Sequence, residues 1–257
     1  MRAMKHLFIL TGASRGMGRA MAQQLLAPQH HLLCLSRQSD AALQADATSA
    51  QCALEQWRLD LADAPTAAAR LGAWLEGQGS GGWAGATLIN NAGVIPAIAP
   101  LRDQAADAGA LLAAALRVGL EAPMLLTAAF LRGTGGWGVP RRVLNISSGL
   151  GRRAMGSQAA YCAAKAGMDH FTRCLALEEA GRPNGARVCS LAPGVIDTDM
   201  QVQLRGAPDA LFPDRGNFAA LKDKGQLTSP EAAAQRVLAW LDRPDFGDQP
   251  VVDVRDA

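Results

Sequence analysis

Residues 11–18 read TGASRGMG, directly after the apolar run Leu7–Leu10 and directly before a helical pattern beginning near residue 16. Strand, glycine turn and helix N-terminus, in that order, make a seat for a pyrophosphate. The side chains missing at Gly12, Gly16 and Gly18 let the backbone approach closely, and free N–H groups with the helix dipole favour the anion. Ser14, Arg15 and Met17 complete the candidate loop. The spacing G-x-x-x-G-x-G is neither GxGxxG nor a Walker loop, because no Gly-Lys-Ser/Thr follows. A tight strand–helix turn would use glycines too, so the loop takes its meaning from the rest of the chain.

Outward from the loop, short apolar runs alternate with longer alanine-rich amphipathic stretches. Leu7–Leu10, Leu32–Ser36, Trp57–Asp60, Thr87–Asn90, Val143–Ser147, Val188–Leu191 and Val251–Val254 read as buried strands. Helical patterns lie near 16–27, 65–78, 104–132, 158–180 and 229–241. This alternation predicts parallel strands with helices on both faces: a doubly wound, three-layer α/β/α sandwich of the Rossmann type. The glycine clusters at 79–82 and 133–138 divide no composition and read as surface loops, so one domain over 1–257 is expected. The least regular stretch, about 195–228, has no clean period and reads as a long substrate loop.

The chain has 257 residues, 49% hydrophobic and 19% charged, with a formal net charge of +2. That is a globular composition, and no basic run points to nucleic acid. The LFIL run is too short for a signal-peptide core or a membrane span, so a cytoplasmic protein with no membrane partner is expected. Five cysteines form no CxxC pair and no ligand cluster with the four histidines; they read as buried small hydrophobes, and no metal is expected.

The end of the second strand selects the nucleotide. An NAD enzyme places a carboxylate there for the ribose 2′-OH, whereas an NADP enzyme places a cation for the 2′-phosphate. Here the residues are Ser36 and Arg37, and Arg15 supplies a second cation from the glycine loop. Guanidinium forks suit a phosphate. NADP(H) is the expected cofactor.

Tyr161 is the chain's only tyrosine, and Lys165 follows it by one helical turn in YCAAK. Such a pair shares a helix face, and the lysine charge can lower a phenol pKa from its usual value near 10. Taken alone, the spacing fits a surface pair equally well.

TGASRGMG, Asp60-Leu61, NNAG at 90–93, NISS at 145–148, YCAAK and PGVIDT at 193–198 occur in the order found in the short-chain dehydrogenase/reductase family, and the chain resembles it over most of its length. Within that family LINNAG, APGVIDTDMQ, LKDKGQL and VVDVRDA are similar to the sepiapterin reductases, and a bacterial group acting on benzil and similar diketones shares much of the pattern. The resemblance implies a reductase of small-molecule carbonyls with Ser148, Tyr161 and Lys165 as catalytic set. Tyr161 would be the proton donor, Lys165 would hold the nicotinamide ribose, and Ser148 would bind the substrate oxygen.

It further implies that Asp60 and Leu61 border the adenine and that Asn91, Ala92 and Gly93 line the ribose side. Pro193, Gly194, Ile196, Thr198 and Met200 would pass the nicotinamide. Gly149, Gly194 and Asp253 join Ser148 and Tyr161 at the substrate, with Asp253 at the position that anchors a pterin ring. Pairing into a homodimer or homotetramer through the helices at 104–132 and 158–180, as in many relatives, is also implied, although their apolar faces fit a monomer core as well. One position departs: Gly119 stands where many members carry an asparagine that holds a relay water behind the lysine. A backbone carbonyl at a helix kink could hold the water instead. Gly119 is also the one feature that would fit a non-catalytic cofactor-binding protein, the alternative function; other carbonyl substrates are the alternative within the fold.

Overall fold

The computed structural model describes residues 4–105 and 108–256. Seven parallel strands form one sheet in the order β3-β2-β1-β4-β5-β6-β7. They are β1 (Lys5–Thr11), β2 (His30–Ser36), β3 (Ala53–Arg58), β4 (Trp83–Asn90), β5 (Arg141–Ile146), β6 (Arg187–Ala192) and β7 (Val251–Asp253). The chain winds outward from β1 to β3, returns across β1 to β4, and winds outward again to β7. The reversal lies between β1 and β4, and there the loops at the strands' carboxyl ends diverge and leave a crevice.

Helices cover both faces. On one side α1 (Gly16–Gln24), α2 (Ala41–Ser49) and α9 (Pro230–Leu241) pack Met21, Leu43 and Val237 against Phe8, Leu10 and Leu32. On the other, α3 (Ala64–Gln78), α5 (Ala122–Thr134) and α6 (Ala159–Ala180) pack Leu71, Phe130 and Leu175 against Leu7, Ile9 and Val143. Because successive strand side chains point to opposite faces, the unbroken run Leu7–Leu10 feeds both cores. Each fully buried Leu or Phe contributes about 1.5–3 kcal/mol.

The helical run 109–134 is long and apolar enough to cross a membrane by length and composition; here its α5 part buries Leu126, Ala129 and Phe130 against the sheet. It joins α4 (Gly109–Leu116) to α5 through a π-helical turn, Arg117–Glu121. The pattern read over 104–132 therefore starts later and ends later, and residues 106–107 of it lie outside the described ones.

Four expectations are corrected. The third strand is Ala53–Arg58, not Trp57–Asp60; it is an edge strand whose residues are mostly half-buried, so its apolar signal is weak. Asp60 sits in the following turn, where its Oδ1 accepts the Ala62 N–H at 3.0 Å. Helix α2 was not legible, since it buries only Leu43 and Ala47. Asp40 starts it by accepting the N–H groups of Ala42 and Leu43. The stretch 195–228 is no bare loop: it holds α7 (Asp199–Gly206) and α8 (Arg215–Asp223), two short helices divided by Pro208 and Pro213. Of the cysteines, Cys34, Cys52 and Cys189 are buried as expected, but Cys162 is half-buried and Cys174 is exposed.

Candidate active site

A cleft of about 1140 Å³ opens along the carboxyl ends of the strands, and every residue named above as a candidate contact lines it. Its floor is the glycine turn. Gly12 and Gly16 have φ of +72° and +53°, in the left-handed region that favours glycine. A Cβ at Gly18 would lie 2.1 Å from the Gly12 carbonyl oxygen, so α1 packs onto the turn with no room for a side chain. Asn91 locks the turn from β4's end: its Nδ2 donates to the carbonyls of Thr11 (3.0 Å) and Gly12 (3.3 Å). The N–H groups of Asn91 and Ala92 donate to Thr11 Oγ1. Asn91 therefore shapes the loop with its side chain. Helix α1 has no side-chain cap, so its first-turn N–H groups are left for a ligand. The donor set and the close backbone fit a dinucleotide pyrophosphate.

At the end of β2 the Ser36 side chain is spent locally, its Oγ donating to the Gln38 carbonyl at 2.7 Å. Arg37 is exposed beside it. Arg15 is bound across the cleft mouth to Asp199, the first residue of α7, at 2.8 Å with both side chains 67% exposed. Thr198 begins that helix, and its Cγ2 lies 3.6 Å from where a Gly16 Cβ would be.

Ser148, Tyr161 and Lys165 meet on the other wall. β5 delivers Ser148, whose Oγ accepts the Leu150 N–H at 3.2 Å and starts the 3-10 turn Gly149–Gly151. Helix α6 presents Tyr161 and Lys165 on one face; the lysine Nζ donates to the Ile146 carbonyl at 2.7 Å and lies 5.8 Å from the Tyr161 ring centre. Burial pushes the phenol up from its ordinary value, and the hydrogen-bonded Ser148 hydroxyl pulls the other way. The net direction is upward, opposite to the lowering expected from the lysine. Burial lowers the Lys165 amine to about 8, against the charge of Asp169, which raises it.

The family profile described as short chain dehydrogenase matches residues 6–209. The chain belongs to that family. It is 33% identical over 248 residues to a Bacillus cereus protein named benzil reductase ((S)-benzoin forming), covering 96% of this chain and 98% of that one. It is 31% identical over 259 residues to the sepiapterin reductase of Bos taurus, covering 97% and 94%. A solved short-chain dehydrogenase/reductase from Burkholderia vietnamiensis is 32% identical with a TM-score of 0.66, each chain 99% covered. Family membership makes the protein an oxidoreductase with a nicotinamide-cofactor fold, and the named relatives make it a carbonyl reductase acting on small molecules.

The departure from the family pattern at Gly119 lies at a close helix contact. A Cβ there would meet the Ala164 Cβ at 3.0 Å, so any side chain at 119 would need α6 to give by a few tenths of an ångström. The glycine lies inside the π-helical turn, where the Ala122 N–H reaches back to the Arg117 carbonyl; such a turn shifts the helix hydrogen-bond register, the kind of irregularity at which helices kink.

Asp253 lines the substrate end of the cleft but is already engaged. Its carboxylate accepts Arg255 Nε (2.8 Å), Nη2 (2.6 Å) and the Arg255 N–H (3.0 Å). These bonds hold the carboxyl below its usual range, against the opposing effect of burial. Lining residues that the sequence did not reveal include Arg152, Arg255, Ser147 and Gln158. Ser147 Oγ and Gln158 Oε1 are buried without a partner. Gln158 stands one turn before Tyr161, behind Ser157 at φ +63°; this register on α6 was the one available signal.

Proposed function

We propose that the protein is an NADPH-dependent reductase of vicinal diketones, with Tyr161 as general acid. The reading rests on one juxtaposition: Ser148, Tyr161 and Lys165 face the glycine turn across a single cleft. NADPH, when bound, supplies the hydride. The first turn of α1 would hold its pyrophosphate, and Arg37 its 2′-phosphate, joined by Arg15 on exchanging Asp199 for that phosphate. Asp60 and Leu61 would border the adenine, Asn91–Gly93 the ribose side, and Pro193, Gly194, Ile196, Thr198 and Met200 the nicotinamide.

Ser148 donates a hydrogen bond to the substrate oxygen and sets it against the Tyr161 hydroxyl, which gives up its proton as negative charge develops there. Lys165, charged below about pH 8, stabilises the phenolate left behind. Bringing that phenol about three units down would correspond to roughly 4 kcal/mol.

The fork between Asp253 and Arg255 favours a neutral diketone over a pterin, because a pterin would have to displace the guanidinium to reach the carboxylate. The relative named benzil reductase supports the same choice. A pterin side-chain ketone is the second reading, supported by the place of Asp253 in the cleft and by the sepiapterin reductase relatives. Exposed Leu111, Leu116 and Met124 on the 109–134 run and Leu177 on α6 are apolar surface that pairing of two copies would cover.

The test follows NADPH oxidation with benzil and with sepiapterin. Turnover of benzil is expected, falling about a thousandfold in Tyr161→Phe while NADPH still binds. Retained turnover in that variant would overturn the assignment; faster turnover of sepiapterin than benzil would move the substrate to the second reading.

A further inference from the structure

Asp169 lies one turn beyond Lys165 and two beyond Tyr161 on α6, on the face that meets the sheet, and it is 1% exposed. An isolated carboxylate cannot be buried cheaply, so its partners matter. Ser190 Oγ on β6 donates to Oδ1 at 2.6 Å, and Arg152 Nε donates to Oδ2 at 3.1 Å. Arg152 follows the 3-10 turn that Ser148 begins, and its Nη2 donates to the Val252 carbonyl on β7 at 2.8 Å. One carboxylate and one guanidinium thus join four pieces of the site: the helix of Tyr161 and Lys165, the Ser148 turn, β6, and the strand carrying Asp253.

Gly151 shows how tightly they are joined. A Cβ there would lie 2.9 Å from the Lys165 carbonyl oxygen and 3.1 Å from Asp169 Oδ2. The Ser148 turn therefore rests directly on the Lys165 peptide, and only glycine permits the contact. The distance from the Ser148 hydroxyl to the Lys165 and Tyr161 side chains is set by this seat.

We propose that Asp169 is a positioning residue for the reduction, acting through Lys165 on its own helix and through Arg152 on the Ser148 turn. The proposal rests on the catalytic reading given above. Asp169 touches no substrate: its carboxylate is closed off by Ser190 and Arg152, behind the wall of the cleft. Its charge also faces Lys165. Among the described residues at this end of the site the other charged groups are Arg152, which Asp169 itself pairs, Arg153 beside it, and Asp253 and Arg255, which pair each other. β4, β5 and β6 present Asn91, the Ile146 carbonyl and Ser190, all neutral.

The sign follows. A lysine amine is charged below its pKa and neutral above it. The Lys165 amine, lowered by burial to about 8, is raised by Asp169, so removing that charge moves the loss of the proton to lower pH.

Asp169→Asn keeps the shape and removes the charge. In this variant the Lys165 Cε resonance, followed by ¹³C NMR, is expected to titrate about one unit below its wild-type midpoint. The alkaline limb of benzil reduction should move with it, and kcat near pH 8 should fall about fivefold while the NADPH KM stays within a factor of two or so. Arg152→Gln leaves the carboxylate in place: kcat should fall without any downward move of the Lys165 midpoint.

An unmoved midpoint and limb in Asp169→Asn would overturn the proposal, as would equal losses of melting temperature and NADPH affinity with the limb in place. Should the wild type reduce no diketone while the midpoint still shifts, the proposed reaction fails and the coupling of Asp169 to Lys165 stands.

Discussion

On the glycine-turn side of the cleft, backbone makes the binding surface; on the side of β7, charged side chains make it, and they are paired with one another. Gly12, Gly16 and Gly18 expose peptide groups whose positions follow from strand, turn and helix geometry, and Asn91 merely pins them. Across the cleft, Asp253 is held by Arg255, and Arg152 in the wall is held by the buried Asp169 behind it. A surface of backbone suits a ligand common to many enzymes, because almost any side chain would spoil it. A surface of paired charges can be retuned by changing one partner, which suits the proposed choice between substrates.

The comparison breaks most visibly at Gly18. Gly18→Ala forces a Cβ into the Gly12 carbonyl, a clash of about 1–3 kcal/mol. At this chain length each kcal/mol lowers Tm by about 2–4 °C. NADPH affinity is expected to fall together with Tm in fluorescence and melting measurements. Gly149→Ala, whose Cβ would meet nothing within 4 Å, is the control and should leave Tm unchanged.

A smaller effect sharpens the cofactor end. Arg37→Ala should raise the KM for NADPH about tenfold and leave that for NADH unmoved, the loss of one charge-assisted phosphate contact. Equal effects on both cofactors would remove Arg37 from the 2′-phosphate site. The smallest change is expected at the other end. Arg255→Ala releases the Asp253 carboxylate and should improve kcat/KM for sepiapterin a few-fold, with benzil little changed. A fall on both substrates would make the fork a structural tie.

The difference between the two sides also governs what could be read in advance. The glycine turn, the strand ends at Asn91 and Ser148, and the Tyr161–Lys165 spacing are local in sequence, so their geometry follows from strand, turn and helix periodicity. The β2 end at Ser36–Arg37 was legible for the same reason. The third strand was misplaced because an edge strand leaves one side polar, and α2 was invisible because it buries only two side chains. Short α7 and α8 were hidden in 195–228, where prolines interrupt the period.

The amino-acid sequence by itself determined the parallel sheet, its glycine turn and the face of α6 that carries Tyr161 and Lys165. Those features depend on residues a few positions apart. Only the tertiary structure decided that Gly119 lies close against Ala164, that Arg255 closes over Asp253, and that Arg152 reaches from the Ser148 turn to Asp169 and β7. Except for the short-range fork at Asp253, these pairings join residues far apart in the chain, and no local pattern can record a contact made by the winding of the sheet.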